Sequence, residues 1–108
     1  MSEPTTFEEY ADDLEGRLRA LGNLGVTVKF VLEGMGNLFI DARHDLPILS
    51  RNDETDADFT VIGPFKVWLD LRARRTVPYA AVMTGRVKFK GDLKRGLSFA
   101  PKFMSMFA

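Results

Sequence analysis

The stretch Met83-Thr84-Gly85-Arg86-Val87-Lys88-Phe89-Lys90-Gly91-Asp92-Leu93 holds the end of one element, a complete strand and the start of another. Arg86, Lys88 and Lys90 alternate with Val87 and Phe89, so the strand carries three cations on one face and two apolar groups on the other. Gly91 and Asp92 end it and cap a helix whose apolar stripe is Leu93, Leu97, Ala100, Phe103, Met104 and Phe107. Pro101 removes one hydrogen bond from that helix and kinks or restarts it. On the other side, Pro78 opens a brief helical segment through Ala80, Ala81, Val82 and Met83, which Gly85 closes.

Working back toward the N-terminus, Gly63-Pro64 separates a second helix (Phe65, Val67, Trp68, Leu69, Leu71, Arg72) from a strand over 57–62. In that strand Ala57, Phe59 and Val61 face away from Asp58, Thr60 and Ile62. Arg51 to Asp56 is a polar, mostly acidic loop. Before it, Pro47 cannot donate to a ladder, which puts a short strand around Leu46 to Ser50 at a sheet edge. Val26, Val28, Phe30 and Leu32 oppose Thr27, Lys29 and Val31 in a half-buried strand. The glycines of Glu33-Gly34-Met35-Gly36 then turn the chain into a partner strand with Leu38, Ile40 and Ala42 on one side and Phe39, Asp41 and Arg43 on the other. At the start, Thr5 and Thr6 stand three residues before Glu8 and Glu9 as overlapping capping boxes. Phe7, Tyr10, Ala11, Leu14, Leu18 and Leu21 continue at helical spacing, predicting one helix over 6–21 that stops at Gly22. The order is helix, three strands, strand, helix, short helix, strand, helix.

A chain of 108 residues should expose roughly 6,000 Å² folded against roughly 17,700 Å² unfolded, which suits one domain over residues 1–108 with one core. Met1-Ser2-Glu3-Pro4 has neither a basic region nor an apolar run, and a cytoplasmic protein is expected. With no cysteine and a single histidine, thiolate metal sites, disulfides, cysteine nucleophiles and histidine-rich metal sites are excluded. Residues 1–63 hold 5 basic and 13 acidic side chains, a net −8, while residues 64–108 hold 10 and 2, a net +8. Either the two halves neutralise each other across the fold, or the second half presents a basic surface to anionic headgroups or an acidic partner.

The Met83–Leu93 run resembles the sterol carrier protein type 2 family, whose most recognisable stretch reads small-Gly-basic-apolar-basic-apolar-x-Gly-Asp/Asn before a C-terminal helix. Ala57-Asp58-Phe59-Thr60-Val61 is similar to the family's alanine-aspartate-x-threonine strand, and Pro78 and Ala81 sit where the family has a proline and an alanine. The chain departs from the pattern at Gly63-Pro64 and Ala73-Arg74-Arg75, and its Phe107-Ala108 end lacks the serine-lysine-leucine address, so a bacterial-type stand-alone member fits best. The resemblance implies an α+β fold: a mixed, mainly antiparallel five-stranded sheet covered on one face by helices, with an apolar tunnel between them that opens near the C-terminal helix. Strand parity agrees, collecting Val28, Phe30, Leu32, Leu38, Ile40, Phe59, Val61, Val87 and Phe89 on one face.

These residues alone favour a filled core, because apolar stripes usually are core; only the resemblance turns them into a ligand wall. The expected wall is Phe30, Leu32, Ile40, Phe59, Val61 and Phe89 from strands, with Trp68, Leu71, Val82, Met83, Leu97, Ala100, Phe103, Met104 and Phe107 from helices. Met83, Met104 and Met106 are soft fillers suited to walls that accept different shapes, and Met104 and Met106 beside Phe103 and Phe107 suit a deformable lid. The implied function is to carry or present a sterol-like, isoprenoid or fatty acyl lipid, with no catalysis, no cofactor and transient contact with an anionic membrane. Nucleic acid is not expected, because too few exposed aromatics interleave with the cations. The alternative is a non-catalytic interaction module, or a homodimer burying Val31, Phe39 and Ile62. His44 between Arg43 and Asp45, near Asp41, would be a candidate general base but has no nucleophile to activate, and its segment reads as a turn. Finally, an empty dry pocket of ~300 Å³ would cost about 7 kcal/mol, so the site should be occupied or closed by Phe103, Met104 and Phe107 folding inward.

Overall fold

In chain order the elements are α1 (Phe7–Glu15), α2 (Leu18–Leu21), β1 (Val26–Leu32), β2 (Gly36–Ala42), β3 (Ile48–Arg51), β4 (Phe59–Gly63), α3 (Phe65–Arg72), α4 (Pro78–Met83), β5 (Lys88–Lys90), α5 (Leu93–Ser98) and α6 (Ala100–Ser105). They are seen in a computed structural model that describes residues 2–108. The sheet order is β3-β2-β1-β4-β5. Only β1 and β4 run parallel; the other three pairs are antiparallel, so the sheet is mixed and mostly antiparallel as expected.

Register fixes the faces. Val28 pairs with Ile40 and Phe59, Phe30 with Leu38 and Val61, and Val61 with Phe89, so these side chains share the inner face. Phe30, Ile40 and Phe59 therefore lie together, and β3 occupies a sheet edge as expected, although it begins at Ile48 and leaves Pro47 just outside the strand. Turn chemistry holds the β1–β2 hairpin: Met35 N–H donates to Leu32 O at 3.0 Å, and Gly34 sits at φ 77°, where a side chain would be strained. The helices pack their apolar stripes onto the inner face around a core that includes Tyr10, Leu14, Leu32, Ile40, Trp68 and Leu71.

Several boundaries differ from the periodicity. The first helix is cut in two: Gly16 caps α1, and Arg17, the N-cap residue of α2, turns its guanidinium to Asp13 at 2.9 Å and to Met106 O at 2.9 Å. Only one capping box forms. Thr6 Oγ1 accepts from Glu9 N–H at 3.1 Å, while Glu9 reaches back to Thr5 N–H, and Glu8 instead pairs with Arg51. β5 is shorter than its alternation because the Arg86 and Val87 N–H groups donate to Ala81 O rather than to a strand. At the C-terminus Pro101 falls in the first turn of α6, and the helix restarts there after a break at Phe99.

The β3–β4 connection, residues 52–58, has a role that periodicity does not reveal. Because β2 and β1 lie between those strands, the connection crosses the outer sheet face. Asn52 Oδ1 accepts from Asn37 N–H at 3.1 Å, Glu54 accepts from Asn37 Nδ2 at 3.0 Å, and Asp58 accepts from Thr27 N–H at 2.9 Å. The crossing lies over a face on which Lys29, Asn37 and Phe39 are buried in the single chain. Phe39 is thus unavailable as an exposed dimer contact, which corrects the expectation for Val31, Phe39 and Ile62; the other two are half-buried.

Candidate functional site

Between the inner sheet face and α3 to α6 lies an apolar cavity of about 90 Å³. Its sheet wall is Val28, Phe30, Ile40, Phe59, Val61 and Phe89; α3 adds Trp68 and Leu71, and Leu21 and Leu24 close the end near α2. Pro78, Ala81 and Val82 come from α4, Val87 precedes β5, and the α5–α6 pair supplies Gly96, Leu97, Phe99, Ala100 and Phe103. Every lining residue is apolar or glycine. The aromatic rings interlock: Phe30 lies 4.9 Å from Trp68 and meets Phe103 edge-on at 5.3 Å, and Phe59 stands 5.8 Å from Phe89 and 5.9 Å from Phe99. The indole of Trp68 is held by donating Nε1–H to Val31 O and Gly63 O at 3.2 and 3.1 Å.

Of the residues expected on the wall, Phe30, Ile40, Phe59, Val61, Trp68, Leu71, Val82, Phe89, Leu97, Ala100 and Phe103 are brought together here. Leu32, Met83, Met104 and Phe107 are not. In α4 the inward positions are 78, 81 and 82, an i, i+3, i+4 stripe, so Met83 is carried outward and is 61 % exposed. In α6 the inward pair is Ala100 and Phe103. Met104 lies beside that stripe and is buried outside the cavity, with its carbonyl held by Arg74 at 2.8 Å. Phe107 packs under Arg17, whose guanidinium carbon is 5.4 Å from the ring centre, and edge-on against Phe103. Leu32 is wholly buried in the core beyond the cavity.

The wall also contains residues that the expected wall left out. Val28 and Val87 carried the signal of inner-face parity and could have been named from it. Gly96 gave none: a Cβ placed there would come within 2.2 Å of Phe89 Cζ, so the missing side chain lets α5 lie directly on that ring.

A cavity of this size costs only about 2 kcal/mol to leave empty. It is smaller than the ~300 Å³ at which ligand pockets begin. Its closure follows the expected route in part: Phe103 caps Phe30 from above, while Met104 and Phe107 fold inward elsewhere in the molecule. Leu24, Val28 and Val61 are half-exposed lining residues, but most of that class come from α4 (Pro78, Val82), β5 (Phe89) and the α5–α6 pair (Gly96, Leu97, Phe99, Ala100, Phe103), so the opening lies chiefly on that side.

The charges around it are asymmetric. Asp70, 6 % exposed, gathers Lys66, Arg86 and Arg75 at 2.9, 2.6 and 2.7 Å, and these cations hold its carboxyl well below the usual carboxylate range. The two halves of the chain meet as ion pairs only at Arg72–Asp13 and Arg75–Glu3, each 2.8 Å, among the described residues. Wholesale neutralisation is therefore corrected: Lys88, Lys90, Lys94, Arg95 and Lys102 have no ion-pair partner among the described residues. His44 stands on an exposed turn 3.4 Å from Asp41, whose carboxyl is held low chiefly by Arg43, and it is outside the cavity lining.

The model of the SCP-2 sterol transfer family matches residues 7–104. The chain belongs to that family. No curated protein matches it by sequence. Among solved structures, it is similar to sterol carrier protein 2 from Yarrowia lipolytica, with 14% identity over 89% of this chain and 77% of that one and a TM-score of 0.66. Sterol carrier protein-2 like-3 from Aedes aegypti shares 18% identity over 94% and 98%, with a TM-score of 0.70. The sec-alkylsulfatase Pisa1 from Pseudomonas sp. shares 23% over 89% of this chain, with a TM-score of 0.71, but the match spans only 16% of Pisa1. At these identities the likeness is one of fold. The family is one of hydrophobic lipid binding. Among the described residues no helix is long and apolar enough to cross a membrane.

Proposed function

We propose that this chain holds one lipid-like molecule, sterol-like, isoprenoid or fatty acyl, in the cavity under α4 to α6 and carries or presents it without covalent chemistry. The observation that carries the reading is a wall built wholly of apolar groups beneath a cover, α5, none of whose residues is buried. Such a wall offers a guest dispersion and desolvation and supplies no nucleophile, acid or base. A guest of 300 Å³ or more enters as α5 and α6 move off the sheet. Loading and release belong at an anionic membrane surface, toward which the unpaired lysines and arginines of the second half are drawn.

The test is to strip the protein with organic solvent, identify what emerges, and melt the delipidated form with fatty acids, acyl-coenzyme A and sterols. A ligand that binds only the native state raises the Tm. A lipid in the extract or a rise with one of the series supports the reading; an empty extract and no shift with any of them removes it. Vesicle partitioning checks the membrane step, which fails if anionic and neutral vesicles bind equally at low salt.

A further inference from the structure

The cavity wall has no polar side chain, so any polar group drawn fully inside would lose its water without compensation, at a cost of several kcal/mol. A ligand with a head group must leave that group at the opening. There, α5 presents Arg95. Its guanidinium carbon lies 5.8 Å from the ring centre of Phe59, a wall residue, and the next residue, Gly96, lines the cavity. The Arg95 main chain is fixed at both ends: its N–H donates to Asp92 Oδ1 at 3.1 Å, and its carbonyl accepts from Ser98 Oγ. Asp92 is thereby engaged in capping α5, and no carboxylate forms an ion pair with the Arg95 guanidinium among the described residues. Lys94 stands beside it with the same freedom.

The geometry points to Arg95 as the residue that receives an anionic head group, making the ligand an amphiphile with a carboxylate or similar oxyanion rather than a neutral lipid. This rests on the lipid-binding reading above and narrows it. A guanidinium presents a planar fork of donors matched to two oxygens of one anion. Resting one face on Phe59, it keeps that fork beside the end of an apolar tail lying among Phe59, Phe89 and Phe99. The competing role for Arg95 is cation–π packing on Phe59, which would act on every ligand alike.

The experiment compares palmitate with methyl palmitate, which has the same tail and no charge, on delipidated wild type, Arg95→Gln and Arg95→Lys. For palmitate, Arg95→Gln should raise Kd about fivefold, a modest factor because the site is exposed, with Arg95→Lys between it and wild type. For methyl palmitate all three proteins should agree within about twofold. Added salt should weaken palmitate binding to wild type and leave the ester unchanged, a readout that needs no variant. Acetate should not compete, because it has no tail. Equal losses for acid and ester assign Arg95 to packing and overturn the proposal, as does an unchanged palmitate Kd or salt-independent palmitate binding. If neither palmitate nor its ester binds wild type, the lipid-binding reading fails first, an outcome distinct from ester binding without head-group preference.

Discussion

Two helical layers cover the same sheet face and are held in opposite ways. In the α1–α3 layer, Tyr10, Leu14 and Trp68 are almost wholly buried, and the Tyr10 hydroxyl, its titration pushed up by burial, donates to Trp68 O at 3.3 Å. Asp13 then ties α1 to Arg72 at 2.8 Å, and Arg51 ties β3 to Glu8 and Asp12. In the α5–α6 layer, α5 buries nothing and α6 buries only Met104. Its fastenings lie at the C-terminal end, where Arg74 donates to Met104 O and Phe107 O, and Arg17 to Met106 O. Stability resides in the first layer and access to the cavity in the second. The free edge of the cover is α5.

The contrast breaks most readily at Trp68. Trp68→Ala should lower stability by about 3–5 kcal/mol in urea unfolding, since it removes a packed ring and the Nε1–H bonds to Val31 O and Gly63 O, the second of which still accepts from Glu33 N–H. A loss below 1 kcal/mol would show that the α3 layer is not the foundation.

Asp70 comes next. Asp70→Asn should cost about 1–2 kcal/mol at neutral pH by leaving Lys66, Arg75 and Arg86 crowded without their anion, less than for a fully buried pair because the cations reach solvent. The same residue sets an acid limit. Its folded-state titration is depressed, so its stabilisation is complete above the unfolded carboxylate value of about 4 and is lost as pH falls through the lower folded value. Unfolding curves of wild type and Asp70→Asn should therefore converge in acid, and parallel curves down to pH 2 would place the effect elsewhere.

Gly96→Ala sharpens the comparison from the other side. Better helix propensity offsets displacement of the Phe89 ring, so global stability should change by less than about 1 kcal/mol. Amide hydrogen exchange in α5 should nevertheless accelerate while α1 and α3 are unaffected. Smallest of all, Met83→Ser should shift stability by no more than about 0.5 kcal/mol. A larger loss would return Met83 to the packed interior.

These tests follow the line between what was legible in the sequence and what was not. Alternation along β1, β2 and β4 gave the inner face because side-chain parity is a local property of a strand. Which strands neighbour one another is not local, so the crossing of 52–58 over Lys29 and Phe39 was invisible, and Phe39 was misread as a free surface. In the helices, the stripe was legible but not the rotation of short segments. Val82 and Met83 are adjacent, and only the placement of Pro78 and Ala81 on the sheet decides which of them faces in. Phe99 escaped notice because it sits in the break between α5 and α6, where no period applies. The cavity itself has no signature beyond apolar residues, and it entered through resemblance.

The 52–58 crossing also orders events in time. β1, β2 and β3 are joined by short turns and can zip together locally, whereas β4 must be carried back across two strands before its parallel pairing with β1 can begin. Closing that long loop precedes any reward from it, so the parallel seam should be the late step of assembly. Substitutions in the hairpin, such as Val28→Ala, should slow refolding, while Asp58→Ala should chiefly speed unfolding by releasing Thr27. A chain stalled before the seam closes would expose the β1 edge, with Lys29 and Val31 bare, and would be the species most prone to pair with its own kind.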